Sequence, residues 1–285
     1  MKLRRIVIAL GAIALAIAAV IWDAVNRWRA ASAALVMRLR EARKRPLNPR
    51  PGADDLSSVP APVARYLKKV LPDGHPIILG AQLTQHGIFL ANPETKGWQP
   101  FTAVEDFTAT PPGFVWDARI EMFPGLQVFV RDGIVEGRGS MVAAVAGVMR
   151  LVDVQDTPEL TAAALQRYLA ETVWFPTALL PSQGITWTAI DDSSARASIT
   201  TAGTTVSLDF RFGADGLVKS VYTPARFRSE GGKFVPRAWT GTFNRYEERR
   251  RVLVPIKGEV AWELPEGRLP YWRGTVVRVD YDYAD

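Results

Sequence analysis

Acidic and basic side chains that could carry chemistry occur in two parts of the chain. Asp117 and Arg119 lie on the same side of a predicted strand, together with Glu121. A carboxylate with an arginine partner can act as an acid or base or bind an anion, although such residues more often form a solvated strand face. Glu171 lies close to Trp174, where burial would raise the pKa of its carboxyl group. If Glu171, Asp117 and Arg119 converge to within about 4–6 Å, a hydrolase-like enzyme becomes a candidate.

Other catalytic and metal-binding patterns are incomplete. His75 and His86 lie eleven residues apart, which is not a spacing of metal ligands. The segment GRGS (137–140) is not a nucleophile motif, because Val142 stands where GxSxG needs its second glycine. The chain has no cysteine, which excludes disulfides and thiol catalysis. The sequence therefore predicts no catalytic motif, no metal and no cofactor.

The elements that would position these side chains are mainly β-strands. From Pro76 onward apolar and polar residues alternate with period two, for example over 114–122, 206–212 and 260–264. Short connections rich in glycine and aspartate indicate antiparallel hairpins. The stretch 139–154 fits either a long strand or a helix. We predict a mainly β fold, in which a curved antiparallel sheet (a half-barrel) is covered by one or two helices, plus an N-terminal transmembrane helix.

Two helices are predicted in the β-rich part, and one or both of them would cover the sheet. One spans residues 62–71. The other begins after Thr157, whose hydroxyl suits an N-cap, and ends before Pro176. Arg167 and Glu171 lie four residues apart on this second helix. We expect them to form a surface pair worth about 0.3 kcal/mol or less.

The end of the second helix is strongly apolar, since residues 171–181 read ETVWFPTALLP. Seven tryptophans lie in the β-rich part, and aromatic side chains bury large areas while packing imperfectly. A sheet rich in aromatics beneath one helix can leave a ligand cavity, although a solid core is the other interpretation. The ligand-binding residues that we predict are Trp116, Tyr168, Glu171, Trp174, Trp187, Phe210 and Trp262.

The positive charge of the chain lies at its N-terminus. The net charge is +6, but residues 1–50 hold eleven Lys and Arg against Asp23 and Glu41. The remaining residues hold 24 basic and 27 acidic side chains and are therefore mildly acidic. This distribution argues against nucleic acid as a partner.

The N-terminal segment predicts a membrane anchor. Ile6–Trp22 contains 17 residues without a charge. As a helix it would span roughly 25 Å, slightly less than the ~30 Å hydrocarbon core, and flanking apolar residues can lengthen it. A cleaved signal peptide is the alternative, but the nearest A-x-A pattern after the run, at 31–33, comes too late. We predict a single-pass protein of the cell membrane, with its anchor at 1–24 and membrane lipid as a partner.

Residues 25–62 are predicted to form a basic amphipathic helix and a proline-rich linker. Val25, Trp28 and Leu35 recur at helical spacing. This helix could lie on anionic lipid, form a short coiled coil or act as a stalk. Prolines over 45–62 cannot continue a helix, so the β-rich domain takes up residues 63–285.

Three segments resemble an uncharacterised bacterial family of membrane-anchored proteins: PPGFVWDAR (111–119), RYLAETVWFPTALLP (167–181) and YWRGTVVRVDY (271–281). The resemblance runs from about Val59 to the end of the chain. It implies that the three segments belong to one domain, and it implies no catalytic residue.

At the level of architecture, a curved sheet with helices in its mouth also resembles the lipoprotein-carrier half-barrels. These bind acyl chains outside the cytoplasm, so the resemblance implies an apolar ligand and an extracytoplasmic domain. The count of Lys and Arg on the two flanks of the anchor favours the cytoplasm instead. The side of the domain therefore stays open, with a slight preference for the extracytoplasmic one.

These observations lead to three functional hypotheses. The first is a membrane-tethered binding module, without catalysis, for a lipid or other apolar small molecule. The second is an enzyme that uses the cluster of Glu171, Asp117 and Arg119. The third is a structural or partner-binding domain with a fully packed interior. The sequence does not indicate an oligomeric state.

Overall fold

The computed structural model describes residues 2–91 and 97–284. Within these residues the chain forms four α-helices and one sheet of thirteen strands. The helices are α1 (Lys2–Glu41), α2 (Ala53–Ser57), α3 (Ala61–Val70) and α4 (Pro158–Glu171). Short 3₁₀ turns follow α4 at Thr172–Trp174, Pro176–Leu179 and Pro181–Gln183.

The strands form two runs along the chain, one before α4 and one after it. The first run is β1 (Ile78–Leu90), β2 (Trp98–Thr108), β3 (Gly113–Phe123), β4 (Leu126–Val135), β5 (Arg138–Val145) and β6 (Met149–Gln155). The second run is β7 (Thr186–Asp191), β8 (Ser194–Thr201), β9 (Thr204–Phe212), β10 (Val218–Glu230), β11 (Lys233–Arg249), β12 (Val252–Leu264) and β13 (Gly267–Tyr283).

Both runs are antiparallel meanders, and they join in the middle of the sheet. The strand order is β6-β5-β4-β3-β2-β1-β13-β12-β11-β10-β9-β8-β7, so β1 pairs with β13 while β6 and β7 form the two edges. Such a long sheet coils because neighbouring strands twist relative to one another. The sheet is curved and unclosed, and the predicted fold class is confirmed. The ambiguous stretch 139–154 is an extended hairpin of β5 and β6, turned by Ala146 and Gly147 at positive φ.

Helix α4 connects the two edge strands and therefore crosses the concave side of the sheet, which we call the inner face. The Thr157 hydroxyl caps its N-terminus by accepting a hydrogen bond from the Leu160 amide at 3.2 Å, as predicted. The helix contacts β4 and β5 on one side and β9 and β10 on the other. The first two 3₁₀ turns after it are buried, and Trp174 donates to the Pro255 carbonyl at 2.9 Å. The apolar helix end thus closes the core under the sheet.

Helix α1 has two halves in different surroundings. Its N-terminal half is exposed and, by length and composition, apolar enough to cross a membrane. Its C-terminal half packs on the convex side of the sheet, which we call the outer face. Trp28 meets Phe129 edge to face at 5.7 Å, and Leu39 is buried against Val115. The expectation of a stalk, a lipid-bound helix or a coiled coil over 25–45 is therefore wrong, because the apolar stripe of this half is covered by the sheet.

The proline-rich segment after α1 also packs on the domain. Pro49 accepts a hydrogen bond from the Ile77 amide at 2.8 Å, and the buried Asp55 accepts from the Ser182 amide at 2.9 Å. Helix α3 begins at Ala61, close to the predicted start at residue 62. The division of the chain into an anchor at 1–24, a connecting segment at 25–62 and a domain at 63–285 stays a prediction.

Candidate functional site

A cavity of about 550 Å³ lies between the inner face of the sheet and α4. Its volume is within the range of small-molecule sites, roughly 300–1,000 Å³. Most of its wall is apolar, and aromatic side chains from several strands form a large part of it. These aromatic residues include Trp116, Trp174, Trp239, Trp262, Tyr271 and Trp272.

The cavity exists because bulky rings and small residues face each other across it. On the sheet, Trp262 and Tyr271 stack at 5.6 Å with an interplanar angle of 18°. On α4, the side chains that face them include the alanines Ala163 and Ala164. The helix side chains are small and the rings are rigid. The rings therefore cannot move to fill the space between helix and sheet.

Four of the seven predicted ligand-binding residues line this cavity: Trp116, Glu171, Trp174 and Trp262. Whether any of them binds a ligand stays a prediction. Tyr168, Trp187 and Phe210 do not line the cavity, which corrects their predicted placement.

The reason is the direction in which these three side chains point. Tyr168 lies on α4 but donates its hydroxyl to the Ala109 carbonyl at 3.1 Å in the core. Trp187 donates to the Leu179 carbonyl at 2.9 Å and meets Phe210 at 5.3 Å. This pair belongs to the core beyond the end of α4.

A buried ionic cluster lies at the wall of the cavity, centred on Arg167. Its guanidinium donates to Glu105 at 2.7 Å, to Asp132 at 2.7 Å and to Glu171 at 2.9 Å. The ring of Trp116 lies 5.0 Å beneath the guanidinium carbon. The Arg167–Glu171 pair is therefore not the surface pair that we expected, because α4 presents it to the inner face of the sheet.

Strand register explains how the cluster forms. Glu105 on β2 and Asp132 on β4 are the register partners of Trp116 on β3, so the three residues form one row on the inner face. Gln85 extends the row by donating to Glu105 at 2.9 Å and accepting from the Trp116 indole at 3.0 Å. Sequence reasoning missed Glu105 and Asp132. The alternation of β2 did place Glu105 on the same side as Phe101 and Phe107, but only the pairing register shows which residues it meets.

The cluster has three carboxyl groups for one guanidinium, and this excess of carboxyl groups favours the protonated form of one of them. Burial raises the pKa of Glu105 well above its ordinary value, and the negative charge of Glu171 raises it further. Burial also raises the pKa of Glu171, against the opposing charge of Arg167. One buried oxygen of Glu171 has no hydrogen-bond partner among the described residues, and a proton held between the Glu171 and Glu105 carboxyl groups would supply one.

The cation of the cluster stays charged. Burial alone would lower the pKa of Arg167, but the charges of Glu171, Glu105 and Asp132 outweigh burial and raise this pKa. An arginine held by three carboxyl groups is positioned rigidly, and it is no longer available as an anion site for a ligand.

Asp117 and Arg119 do not join Glu171, which corrects the predicted enzyme cluster. They lie on the outer face, where Arg119 pairs with Asp117, and Asp117 accepts from the Trp28 indole of α1 at 3.1 Å. The physical reason is the period of the strand, because Trp116 faces the cavity and its neighbour Asp117 must face the other way. These two residues attach α1 to the sheet.

In the described part of the chain, no group of three His, Cys, Asp or Glu side chains comes together as metal ligands would. His75 is buried against Tyr283 and contacts the Pro76 carbonyl at 2.8 Å, and burial lowers its pKa. His86 is exposed on β1.

Two solved structures are similar to this chain. One is a LolA superfamily protein, NE2245 from Nitrosomonas europaea, with a TM-score of 0.40 and 8% identity, covering 78% of this chain and 92% of that one. The other is a β-barrel-like protein of the domain of unknown function DUF1849 from Brucella abortus, with a TM-score of 0.28 and 11% identity, covering 72% of this chain and 99% of that one. Among curated proteins none matches.

A family match covers most of the chain and agrees with the predicted resemblance to an uncharacterised family. Bacterial origin, membrane anchoring as a family property and the three segments as family marks stay predictions. The match spans residues 57–281, and the chain therefore belongs to the family of unknown function DUF6920.

Proposed function

We propose that this protein is a membrane-tethered binding module for a lipid or another apolar small molecule. The observation that carries the proposal is the 550 Å³ cavity with its largely apolar, aromatic wall. A solid interior, as the partner-binding hypothesis requires, would leave no such space. Each methylene of a ligand that enters the cavity gains about 0.8 kcal/mol from leaving water.

The position of α1 supports the membrane part of the proposal. Its exposed, apolar N-terminal half continues without a break into the half that packs on the outer face. If the first half spans a bilayer, the cavity is held at a fixed distance from a source of lipid. The charge-free run Ile6–Trp22 then forms a single-pass anchor.

An experiment with the full chain tests whether the cavity holds the ligand. The chain is placed in phosphatidylcholine nanodiscs and exposed to hexadecanoic acid methyl ester that carries a photoreactive diazirine, with empty nanodiscs as the partition blank. We expect saturable crosslinking that maps to cavity residues. Ala163→Phe fills the cavity and should weaken crosslinking about tenfold. The matched control is Ala162→Phe on the same helix, because Ala162 does not line the cavity.

Two results would contradict the proposal. One is a wild-type chain that gives no saturable crosslinking above the blank. The other is an Ala163→Phe variant that crosslinks like the wild type while showing an unchanged unfolding transition, since ligand would then bind elsewhere.

A second candidate function is hydrolysis, favoured by one observation. Glu171 lines the cavity and its pKa is raised by burial, so a carboxyl group with a raised pKa is reached from the ligand space. Mass spectrometry of the methyl ester recovered from the binding experiment decides between the two functions. Intact ester indicates binding alone, whereas conversion to the acid that is lost in Glu171→Gln indicates an enzyme.

A further inference from the structure

Three arginines line the cavity, and they differ in their countercharges. Arg167 is held by three carboxyl groups, and Arg228 pairs with Glu230 at 3.1 Å. Among the described residues Arg226 has no carboxylate within ion-pair distance. Within the part of the chain that the structure describes, this half-buried cation is therefore the one in the cavity wall whose charge no side chain balances.

Aromatic rings hold the Arg226 guanidinium in place. Its central carbon lies 5.1 Å from the ring of Trp239 and 5.4 Å from that of Trp262. Stacking on rings stabilises the cation, but it uses the faces of the guanidinium and none of its N–H groups. The Nε atom is buried without an acceptor, and one terminal nitrogen reaches the Tyr271 hydroxyl over a long 3.4 Å.

Tyr271 adds a donor at the same place. Its oxygen accepts from the Trp239 indole at 2.9 Å as well as from Arg226. With both interactions directed at its oxygen, the hydroxyl proton of Tyr271 remains to be donated, and within residues 97–284 no side chain is placed to accept it. Arg226 and Tyr271 thus present a charge and several hydrogen-bond donors together, and both line the cavity.

We propose that Arg226 and Tyr271 bind the anionic head group of an amphiphile whose hydrocarbon chain fills the cavity. This inference rests on the proposed function and names its ligand class, a carboxylate-headed or phosphate-headed single-chain lipid. A negatively charged oxygen beside Arg226 supplies the missing countercharge and acceptors, and charge-assisted hydrogen bonds of this kind are among the strong ones. The carboxyl cluster at Arg167 is already paired, and Glu259, which also lines the cavity, is occupied by Arg268 and Arg273.

The test compares head groups on one hydrocarbon chain. The full chain in phosphatidylcholine nanodiscs at pH 8.5 is crosslinked to diazirine-bearing hexadecanoic acid, to its methyl ester and to the hexadecyl phosphate. We expect the acid or the phosphate to half-saturate at a concentration about tenfold lower than the ester. Which of the two anions binds better identifies the head group.

Variants of Arg226 and Tyr271, with a variant of Arg228 as the control, show which residues cause the preference for the anion. Arg226→Gln should remove the preference for the anion while the ester still crosslinks as in the wild type. Arg228→Gln is the matched control, because Glu230 already neutralises Arg228 and retains Arg237 at 2.7 Å. Tyr271→Phe should reduce the preference partly.

Equal half-saturation of anions and ester in the wild type would overturn the proposal, whether or not the variants fold. A preference for the anion that survives in Arg226→Gln would also overturn it, whatever Arg228→Gln does. In either case, saturable binding of the ester would still support the proposed function. If none of the probes binds, the proposed function itself is contradicted.

Discussion

At the scale of single residues, the Arg167 cluster is the most demanding feature of the molecule. Glu105 is wholly buried, and the side chains of Arg167, Asp132 and Glu171 are at most 16% exposed. Taking four ionisable groups out of water costs several kcal/mol for each ion unless each finds partners. The cluster meets this cost by placing one cation among three carboxyl groups and by sharing a proton, so each member depends on the others.

Removing the cation should therefore be severe. We predict that Arg167→Gln lowers the free energy of unfolding by roughly 3–5 kcal/mol, because it leaves buried carboxyl groups without a countercharge. Urea unfolding of the full chain, followed by tryptophan fluorescence, measures the change. Arg196→Gln is the control, since Arg196 is half exposed in its pair with Asp209 and its loss should cost less than about 1 kcal/mol. Similar losses in the two variants would show that the cluster is not buried as described.

The shared proton gives the cluster a pH dependence of known sign. The pKa values of Glu105 and Glu171 are raised in the folded chain, so the folded state binds more protons than the unfolded state above pH 4.5, their ordinary value. The stabilisation from this proton is complete below that pH and is lost as the pH rises through the raised pKa values. Partly exposed carboxylates such as Glu230, whose pKa is lowered by Arg237, act in the opposite direction at acidic pH.

Glu171→Gln isolates this effect. Its amide can accept from Arg167 and donate an N–H to Glu105, where the wild type needs a proton. We predict that the variant gains stability relative to the wild type as the pH rises from 5 to 8, by at most about 1.4 kcal/mol per pH unit. Urea unfolding at several pH values measures the difference between the two proteins. A difference that stays constant with pH would mean that no proton is shared.

At the scale of elements, α4 follows from the topology. Two meanders that join at β1 and β13 leave β6 and β7 at opposite edges, so the connection between them must span the sheet, and the contacts of α4 with β5 and β9 place it on the inner face. Its N-terminus lies directly on β5, where the Gly139 amide donates to the Thr161 hydroxyl at 3.0 Å. A Cβ at Gly139 would lie 2.8 Å from the Thr161 backbone, which fixes how closely the helix approaches the sheet.

Gly139→Ala should push α4 away from β5. The added methyl group would meet helix backbone rather than a flexible side chain, so we predict a loss of about 1–3 kcal/mol in unfolding free energy. Gly52→Ala adds the same methyl group where its nearest contact is 3.8 Å away and should have a far smaller effect. Denaturant unfolding of both variants measures the loss in unfolding free energy. Equal stabilities would show that α4 can move away from β5 without a cost in free energy.

Elements were predictable from the sequence to the extent that local chemistry defines them. Thr157 as N-cap and the alternation over 114–122 indicated α4 and β3 correctly, because capping and side-chain period are local properties. The partners of those elements were not local. The row of Glu105, Trp116 and Asp132 depends on strand register, and charged residues inside a half-barrel contradict the rule that polar residues face water.

At the scale of the whole molecule, α1 joins two environments. Its first half is the proposed anchor, and its second half covers the outer face through Trp28 and Leu39. Ion pairs extend this contact from Arg40 to Asp106 at 2.7 Å and from Arg43 to Asp282 at 2.8 Å. Because the two halves of α1 form one continuous helix, a tilt of the proposed anchor would be transmitted to the sheet and its cavity.

Two truncations separate the roles of the two halves. We predict that residues 24–285 leave the membrane fraction yet unfold at the same urea concentration as the full chain, because residues 4–23 of α1 are exposed. Residues 45–285 lose the contact of Trp28 with Phe129 and that of Leu39 with Val115, and should be less stable by at least about 3 kcal/mol. Cell fractionation and urea unfolding measure the two effects. If residues 45–285 are as stable as the full chain, the packing of α1 on the outer face contributes nothing, and the β-rich domain stands alone as the predicted division implies.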